Sequence, residues 1–243
     1  MAIGICARAV VASAFTLALL ARFSFAQETD SFYGDYRERN VSHQRGAYRG
    51  IPGQFDFYVL SLSWSPSFCE TGARRDGNDE QCGRGRPYTF VVHGLWPQYN
   101  RGFPKNCMRK APWIESRLIN SMLDLMPARQ LVIHEWREHG TCSGIEADKY
   151  FAAVRSAREH VNIPDRFSRV DHYIMVSPDE IEEAFIAANP GLTREMIVVT
   201  CDNRRLREVR ICFSKNLEFR SCPETDRRGC RNPRVVMPPT RGE

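Results

Sequence analysis

The cysteines constrain what this chain can fold into more than any other feature of its sequence. The 243 residues include nine cysteines, of which Cys6 lies in an N-terminal segment with Arg8, an apolar run and a small-residue end at Ser24–Ala26. This layout is typical of a secretory signal peptide cleaved near Ala26; a membrane anchor is the alternative, although the apolar run is short for one. Cleavage would leave eight cysteines, an even number that favours a secreted domain with every cysteine paired.

Downstream of residues 1–26, the composition predicts an arm and one domain. Residues 27–53 are polar with little periodicity, which indicates a loose N-terminal arm, and they include the glycosylation triplet Asn40-Val41-Ser42. Residues 54–243 contain no linker or repeat and predict a single domain. The formal net charge of +5 falls to +3 once Arg8 and Arg22 leave with the signal peptide. Such a mildly basic chain is compatible with a polyanionic substrate without requiring one.

Hydrophobic patterning predicts an α+β fold, a mostly antiparallel central sheet packed with helices and closed by disulfides. The apolar run up to His93 indicates a buried central strand that ends where Gly94 permits a turn. Ser177, with Glu180 three positions later, predicts a helix start with a capping box. The predicted strands are Phe55–Trp64, Tyr88–His93, Ile197–Thr200 and Leu206–Phe213, and helices are predicted over 112–126, over 148–160 and before Gly140.

The segment Ile133–Cys142 is dense in side chains that carry chemistry. Two histidines and two carboxylates fall within six residues, and on a helix His134 shares a face with Glu138, as Glu135 does with His139. A zinc metalloprotease helix has its second histidine four residues after the first. Here that position is Glu138, so the spacing argues against a metal site. A helix with solvated histidines is the alternative.

A second dense segment, Phe90–Gln98, lies about forty residues upstream. A histidine at the exit of a buried strand can project from a rigid base into a cleft. We therefore expect His93 to meet the helix segment in space and to form one active site with it.

These two segments carry a family resemblance. His93-Gly94-Leu95-Trp96-Pro97 and the run from His134 to Cys142 look like the two signature segments of the ribonuclease T2 family. The strand Phe55–Trp64 with the residues up to Cys69 resembles the opening strand of that family, and Ile211–Phe213 resembles its C-terminal run. The resemblance covers roughly residues 55–230.

The resemblance implies a secreted or periplasmic enzyme that cleaves single-stranded RNA without a metal or another cofactor. The 2′-hydroxyl would attack the adjacent phosphorus to give a 2′,3′-cyclic phosphate and then a 3′-phosphate, with low base specificity. DNA would not be cleaved, and a monomer free of the membrane is expected. By similarity, His139 is the general base, His93 the general acid, His134 a phosphate contact, and Glu135 a residue that stabilises the charged transition state or orients a neighbour.

Three further positions concern substrate binding. Trp96 is a candidate for stacking on a base, with packing beneath the His93 loop as the alternative, and Gln98 offers a donor and an acceptor to a base edge. Glu138 departs from the family, which usually has lysine at this position. The departure predicts a slower enzyme and leaves a catalytically weak secreted RNA-binding protein as the alternative function.

The resemblance also implies how the cysteines pair. The disulfide between the loop after Trp96 and the end of the catalytic helix is the one expected to bear on function. The implied pairs are Cys69–Cys82, Cys107–Cys142, Cys201–Cys230 and Cys212–Cys222.

Overall fold

The structure is a computed structural model that describes Met1 and residues 50–71, 79–83, 85–226 and 229–240. The predicted signal peptide, the Asn40 triplet and most of the predicted arm lie outside these residues. Gly50–Gly53, at the end of that arm, is described, and the backbone N–H of Gly53 donates to the carbonyl of Cys142 at 3.0 Å. Among the described residues, no helix is long and apolar enough to cross a membrane.

A four-stranded antiparallel sheet with the order β2-β1-β5-β4 forms the centre of the fold. Strand β1 is buried along its whole length because both of its faces are covered. Tyr58, Leu60 and Trp64 pack into the main core, whereas Phe57 and Val59 pack on the opposite face. The strands are β1 Phe57–Trp64, β2 Phe90–Gln98, β3 Ile174–Val176, β4 Ile197–Cys201, β5 Leu206–Phe213 and β6 Val235–Met237, of which β3 and β6 form a separate two-stranded sheet.

Helices cover the main core side of the sheet and the edge at β2. The helices are α1 Ser65–Thr71, α2 Asp79–Cys82, α3 Ser116–Asn120, α4 Arg129–Glu138, α5 Ala147–Glu159, α6 Pro178–Ala188 and α7 Pro223–Asp226. Helix α4 buries Leu131, Val132 and Trp136 in the core, and Tyr150 of α5 donates its hydroxyl to the carbonyl of Leu95 in β2 at 2.9 Å. These contacts fix α4 and β2, the two elements that carry the predicted site.

Most of the predicted elements are present, so the prediction of an α+β fold with a mostly antiparallel sheet is confirmed. The predicted capping box is also present, because Ser177 Oγ accepts from the backbone of Glu180 while the Glu180 carboxylate accepts from the backbone of Ser177. The helix predicted over 112–126 is wrong in extent, since only Ser116–Asn120 is helical. Ser121 donates its hydroxyl to the carbonyl of Leu118, a local bond that competes with helical hydrogen bonding.

Four disulfides close the fold, and they are the four pairs that the resemblance implied. Three of them link the segments around α1, β4 and β5. The fourth joins the loop after β2 to the turn of 3₁₀ helix Gly140–Ser143 that follows α4. The pairs are Cys69–Cys82, Cys107–Cys142, Cys201–Cys230 and Cys212–Cys222.

Candidate active site

His93 lies at a β-bulge within β2. The register of β1 against β2 shifts between Ser61 and Leu62, which leaves His93 as an extra residue in the ladder. A bulge re-aims the side chains beside it, and the ring centroid of His93 lies 5.2 Å from that of Trp96. The prediction that this strand ends at His93 with a turn at Gly94 is wrong, because the strand continues to Gln98 and the bulge presents the imidazole.

Small side chains in β1 leave room for side chains of β2 and β5 to contact each other across its face. Ser63 pairs with Glu208 of β5 on one side and with Val91 of β2 on the other. Strands two apart in a sheet are separated by about 10 Å, so a large side chain at Ser63 would block the space between them. Across this space, His93 Nδ1 lies 2.5 Å from Glu208 Oε1.

Glu208 is held ionised by its neighbours. Burial would raise the pKa of this carboxyl, but the charge of Arg210, the hydrogen bond from His93 and the charge of His93 together hold it well below its usual range. Arg210 donates from Nε at 2.8 Å and from Nη2 at 2.6 Å to Glu208 Oε2. An ionised carboxylate only accepts hydrogen bonds, so the proton between the two side chains belongs to Nδ1 of His93.

The pKa of His93 is raised by these carboxylates. Burial alone would lower it, but the hydrogen bond to Glu208 and the charges of Glu208 and Glu135 outweigh that effect. Nε2, the other ring nitrogen, lies 3.6 Å from Glu135 Oε1. The imidazole is therefore biased towards its protonated form at mildly acidic pH.

Helix α4 brings Glu135 to the edge of β2. The indole Nε1–H of Trp96 donates to Glu135 Oε2 at 2.7 Å. A side chain on Gly94 would overlap both the Glu135 carboxylate and the indole, so only glycine permits this approach. Burial raises the pKa of Glu135 to about 7, against the opposing charge of His93 and the Trp96 hydrogen bond.

His139 follows α4 and lies against the same indole. The ring centroids of Trp96 and His139 are 5.4 Å apart. Nδ1 of His139 is buried and has no hydrogen-bond partner among the described residues. Burial, with the charges of His134 and His93, holds the pKa of His139 well below its ordinary value. His139 is thus biased towards the neutral form, the opposite of His93.

Trp96 is at the centre of this arrangement. The guanidinium of Arg210 lies 5.0 Å from the centre of the indole, and the imidazoles of His93 and His139 contact the same ring. These contacts, together with the hydrogen bond to Glu135, correspond to the packing role that the sequence left as an alternative. Stacking of a base on Trp96 stays a prediction.

Glu138, at the position where the resemblance leads us to expect lysine, lies between a histidine and a lysine. Glu138 Oε2 lies 3.3 Å from Nε2 of His134, and Glu138 Oε1 lies 3.5 Å from Nζ of Lys105. Burial lowers the pKa of His134 although the Glu138 charge opposes this, and the charges of His93 and Lys105 add to the lowering. A lysine ammonium therefore lies beside this face of α4, supplied by the loop after β2.

That loop is anchored to the helix end. The backbone N–H of Asn106 donates to the carbonyl of Glu138 at 2.8 Å, and the next residue forms the Cys107–Cys142 disulfide. Asn106 adopts the left-handed conformation with φ 49°, which asparagine tolerates better than most residues. Lys105 is consequently held next to the site by its two following neighbours.

Gln98 lies at the far end of β2. It pairs with Phe57 at the end of the sheet, and its amide Nε2–H donates to the carbonyl of Pro97 at 3.0 Å. The structure thus gives its side chain a local backbone contact, and a role in reading a base edge stays a prediction.

Three residues of the site were missed from the sequence: Glu208, Arg210 and Lys105. The first two are charged residues two apart in β5, so they share one face, and that strand is internal to the sheet. Charges on an internal strand are a usable signal for a functional site. Nothing local marked Lys105, because its position depends on how its loop packs against α4.

A protein-family profile matches most of this chain. The profile described as the Ribonuclease T2 family matches residues 55–222. The chain belongs to the Ribonuclease T2 family. The match includes every site residue described above, from His93 to Arg210.

Curated relatives of this family member are named as ribonucleases. A ribonuclease of Aeromonas hydrophila is 38% identical over 120 residues, covering 49% of this chain and 53% of that protein. A probable ribonuclease of Haemophilus influenzae is 29% identical over 178 residues, covering 69% of this chain and 61% of that protein. In both cases the chain spans less than two thirds of the relative's length.

Solved structures agree on the fold. The crystal structure of RNase NT in complex with 5′-AMP superposes with a TM-score of 0.58 at 27% identity, covering 76% of this chain and 98% of that one. An RNase-related protein from Calystegia sepium superposes with a TM-score of 0.61 at 24% identity, covering 76% of this chain and 97% of that one, and this second likeness concerns the fold alone.

Proposed function

We propose that this protein is a secreted endoribonuclease that cleaves single-stranded RNA by transphosphorylation, without a metal ion. The observation that carries the proposal is the pair of imidazoles on one indole, with the pKa of His93 raised and that of His139 lowered. Two titratable groups whose surroundings drive their pKa values apart are suited to act as acid and base. Family membership supports RNA as the substrate.

In the first step, neutral His139 removes the proton of the 2′-hydroxyl while O2′ forms a bond to phosphorus. His93 donates its Nε2 proton to O5′ as the bond between phosphorus and O5′ breaks, and a 2′,3′-cyclic phosphate results. Glu208 keeps the Nδ1 proton in place throughout, so Nε2 is the nitrogen that exchanges a proton with the substrate. In the second step His93 removes a proton from water, whose oxygen forms a bond to phosphorus. His139 returns its proton to O2′ as the bond between phosphorus and O2′ breaks, and a 3′-phosphate is formed.

The negative charge that develops on phosphorus needs donors close to the reacting oxygens. His134 and Lys105, which flank Glu138, are the groups that we assign to the phosphate. Glu135, with its pKa raised to about 7, is largely a neutral carboxyl at mildly acidic pH and can donate its O–H to a phosphorane oxygen. We infer that Lys105 takes over the part that the family usually gives to a lysine at position 138.

The substrate and compartment follow from the same chemistry. DNA lacks the 2′-hydroxyl that this mechanism uses as nucleophile, so DNA should remain intact. Four disulfides suit an oxidising compartment, which supports secretion or a periplasmic location and the predicted signal peptide near Ala26. We expect a monomer.

The test is RNA cleavage by the mature protein in excess EDTA. Cleavage should persist, and His93→Ala and His139→Ala should each lower kcat by about 10²–10⁴-fold. The exposed His172 provides the control, because His172→Ala should leave kcat unchanged. Loss of wild-type cleavage in EDTA, or full activity in both site variants, would contradict the proposal.

Glu138 favours one alternative function, a catalytically weak RNA-binding protein on the same scaffold. A carboxylate at a position facing a phosphate weakens transition-state stabilisation unless a cation compensates for it. RNA binding without cleavage in the EDTA assay would select this alternative.

A further inference from the structure

A cavity of about 470 Å³ lies beside the candidate active site, on a different face of α4. Its volume is within the range of about 300–1,000 Å³ that is usual for ligand sites. The segment from Asn106 to Ile114 forms one wall, and α4 forms the other with Ile133, Trp136 and Arg137. Of the residues described for the candidate active site, only Asn106, in the loop that carries Lys105, lines this cavity.

The cavity begins where the proposed phosphate site ends. Successive residues of a helix are about 100° apart around its axis, so Arg137 borders the cavity while the adjacent Glu138 faces His134 and Lys105. Asn106 lines the cavity and donates its backbone N–H to the carbonyl of Glu138 at 2.8 Å. The cavity therefore adjoins both the loop that carries Lys105 and the helix turn that carries Glu138.

The lining combines an exposed aromatic ring with positive charge. Trp113 is 78% exposed, so its indole is accessible to a ligand. Arg109, Lys110 and Arg137 are exposed lining residues, and the described residues of the lining include no carboxylate. An aromatic platform with adjoining cations is the arrangement that binds single-stranded nucleic acid, because bases stack on the ring and phosphates pair with the cations.

We propose that this cavity is a subsite for a nucleotide of single-stranded RNA outside the scissile linkage. The base stacks on Trp113, and the phosphates contact Arg109, Lys110 and Arg137. This inference rests on the proposed function for the identity of the polymer, but its binding test does not need cleavage. The subsite would make long RNA a better substrate than a dinucleotide.

The first experiment compares substrates of two lengths. Trp113→Ala should leave kcat/KM for a dinucleoside monophosphate within about twofold, and should lower it about tenfold or more for an eight-nucleotide RNA, through KM. Tyr173→Ala is the control, because Tyr173 is also an exposed aromatic residue, at 61%, and does not line the cavity. An equal loss on both substrates, or no loss on the longer one, would overturn the proposal.

The second experiment measures binding of an eight-nucleotide 2′-O-methyl RNA, which lacks the nucleophile and cannot be cleaved. Trp113→Ala should weaken binding about tenfold, and Arg109→Ala with Lys110→Ala should flatten the salt dependence by about 0.7 in log–log slope for each phosphate that is no longer neutralised. If the wild type cleaves no RNA, the proposed function fails. The binding measurement still tests whether the cavity holds a nucleotide, because it does not need cleavage. The proposal would be overturned if these variants bound RNA as well as the wild type but bound polyglutamate more weakly. That result would assign the cavity to an acidic polypeptide.

Discussion

Replacing the buried carboxyl of Glu135 with its neutral isostere should make the protein more stable. Only 1% of this residue is exposed, and burial raises its pKa from 4.5 to about 7. Each pKa unit corresponds to about 1.4 kcal/mol, so folding with an ionised Glu135 costs roughly 3 kcal/mol above pH 7. Because the folded-state pKa is the higher one, this cost is absent below about pH 4.5, grows between pH 4.5 and 7, and is fully present above about pH 7.

Glu135→Gln removes the charge at every pH and keeps an oxygen to accept from Trp96 Nε1. We expect the variant to gain about 2–3 kcal/mol in the free energy of unfolding at pH 8, relative to any difference at pH 4, because the amide avoids the cost of burying a charge. The attraction of Glu135 to His93 is already contained in the pKa of about 7. Urea unfolding of the oxidised mature chain at both pH values measures this, and the gain corresponds to roughly 4–12 °C in Tm. A difference between variant and wild type that is the same at both pH values would refute the reasoning.

Three further perturbations follow from the site. Glu208→Gln removes the charge that raises the pKa of His93, so the alkaline limb of the pH profile of kcat/KM should move to lower pH, and an unmoved limb would exclude this role. Lys105→Ala should lower kcat by about 10²-fold while Glu138→Lys gives little gain; a large gain from Glu138→Lys would show that Lys105 does not compensate. Cys107→Ser should destabilise the fold by about 2–4 kcal/mol in urea unfolding and lower kcat in the cleavage assay. An unchanged kcat would show that this disulfide does not help to position the site.

Local patterning was sufficient for much of the fold. The strand Leu206–Phe213, the helix that follows Glu146 and the capping box at Ser177 all depend on residues close in sequence, and they lie within a residue or two of their predicted bounds. The same reasoning failed over 112–126, where the apolar spacing suits a helix but Ser121 bonds back to Leu118 and turns follow. Ile114 and Met122, two residues of that pattern, are buried in the core without a long helix.

The site itself depends on contacts that no local pattern contains. The bulge at His93 arises from the register between β2 and β1, and its partner Glu208 is 115 residues away in sequence. The sequence singled out His93, His134, Glu135 and His139 as candidates, because they lie in two compact segments. Their electrostatic partners on β5 and in the loop after β2 became visible only once the strands and the loop were placed beside them.

The most direct test of the account is a titration of the two imidazoles by NMR in the mature protein with selectively labelled histidine. His93 should titrate above the ordinary histidine value near 6.5, and His139 should titrate well below it. The kcat/KM profile should then fall on the acid side with His139 and on the alkaline side with His93. If His139 has the higher pKa of the two, the assignment of acid and base is contradicted.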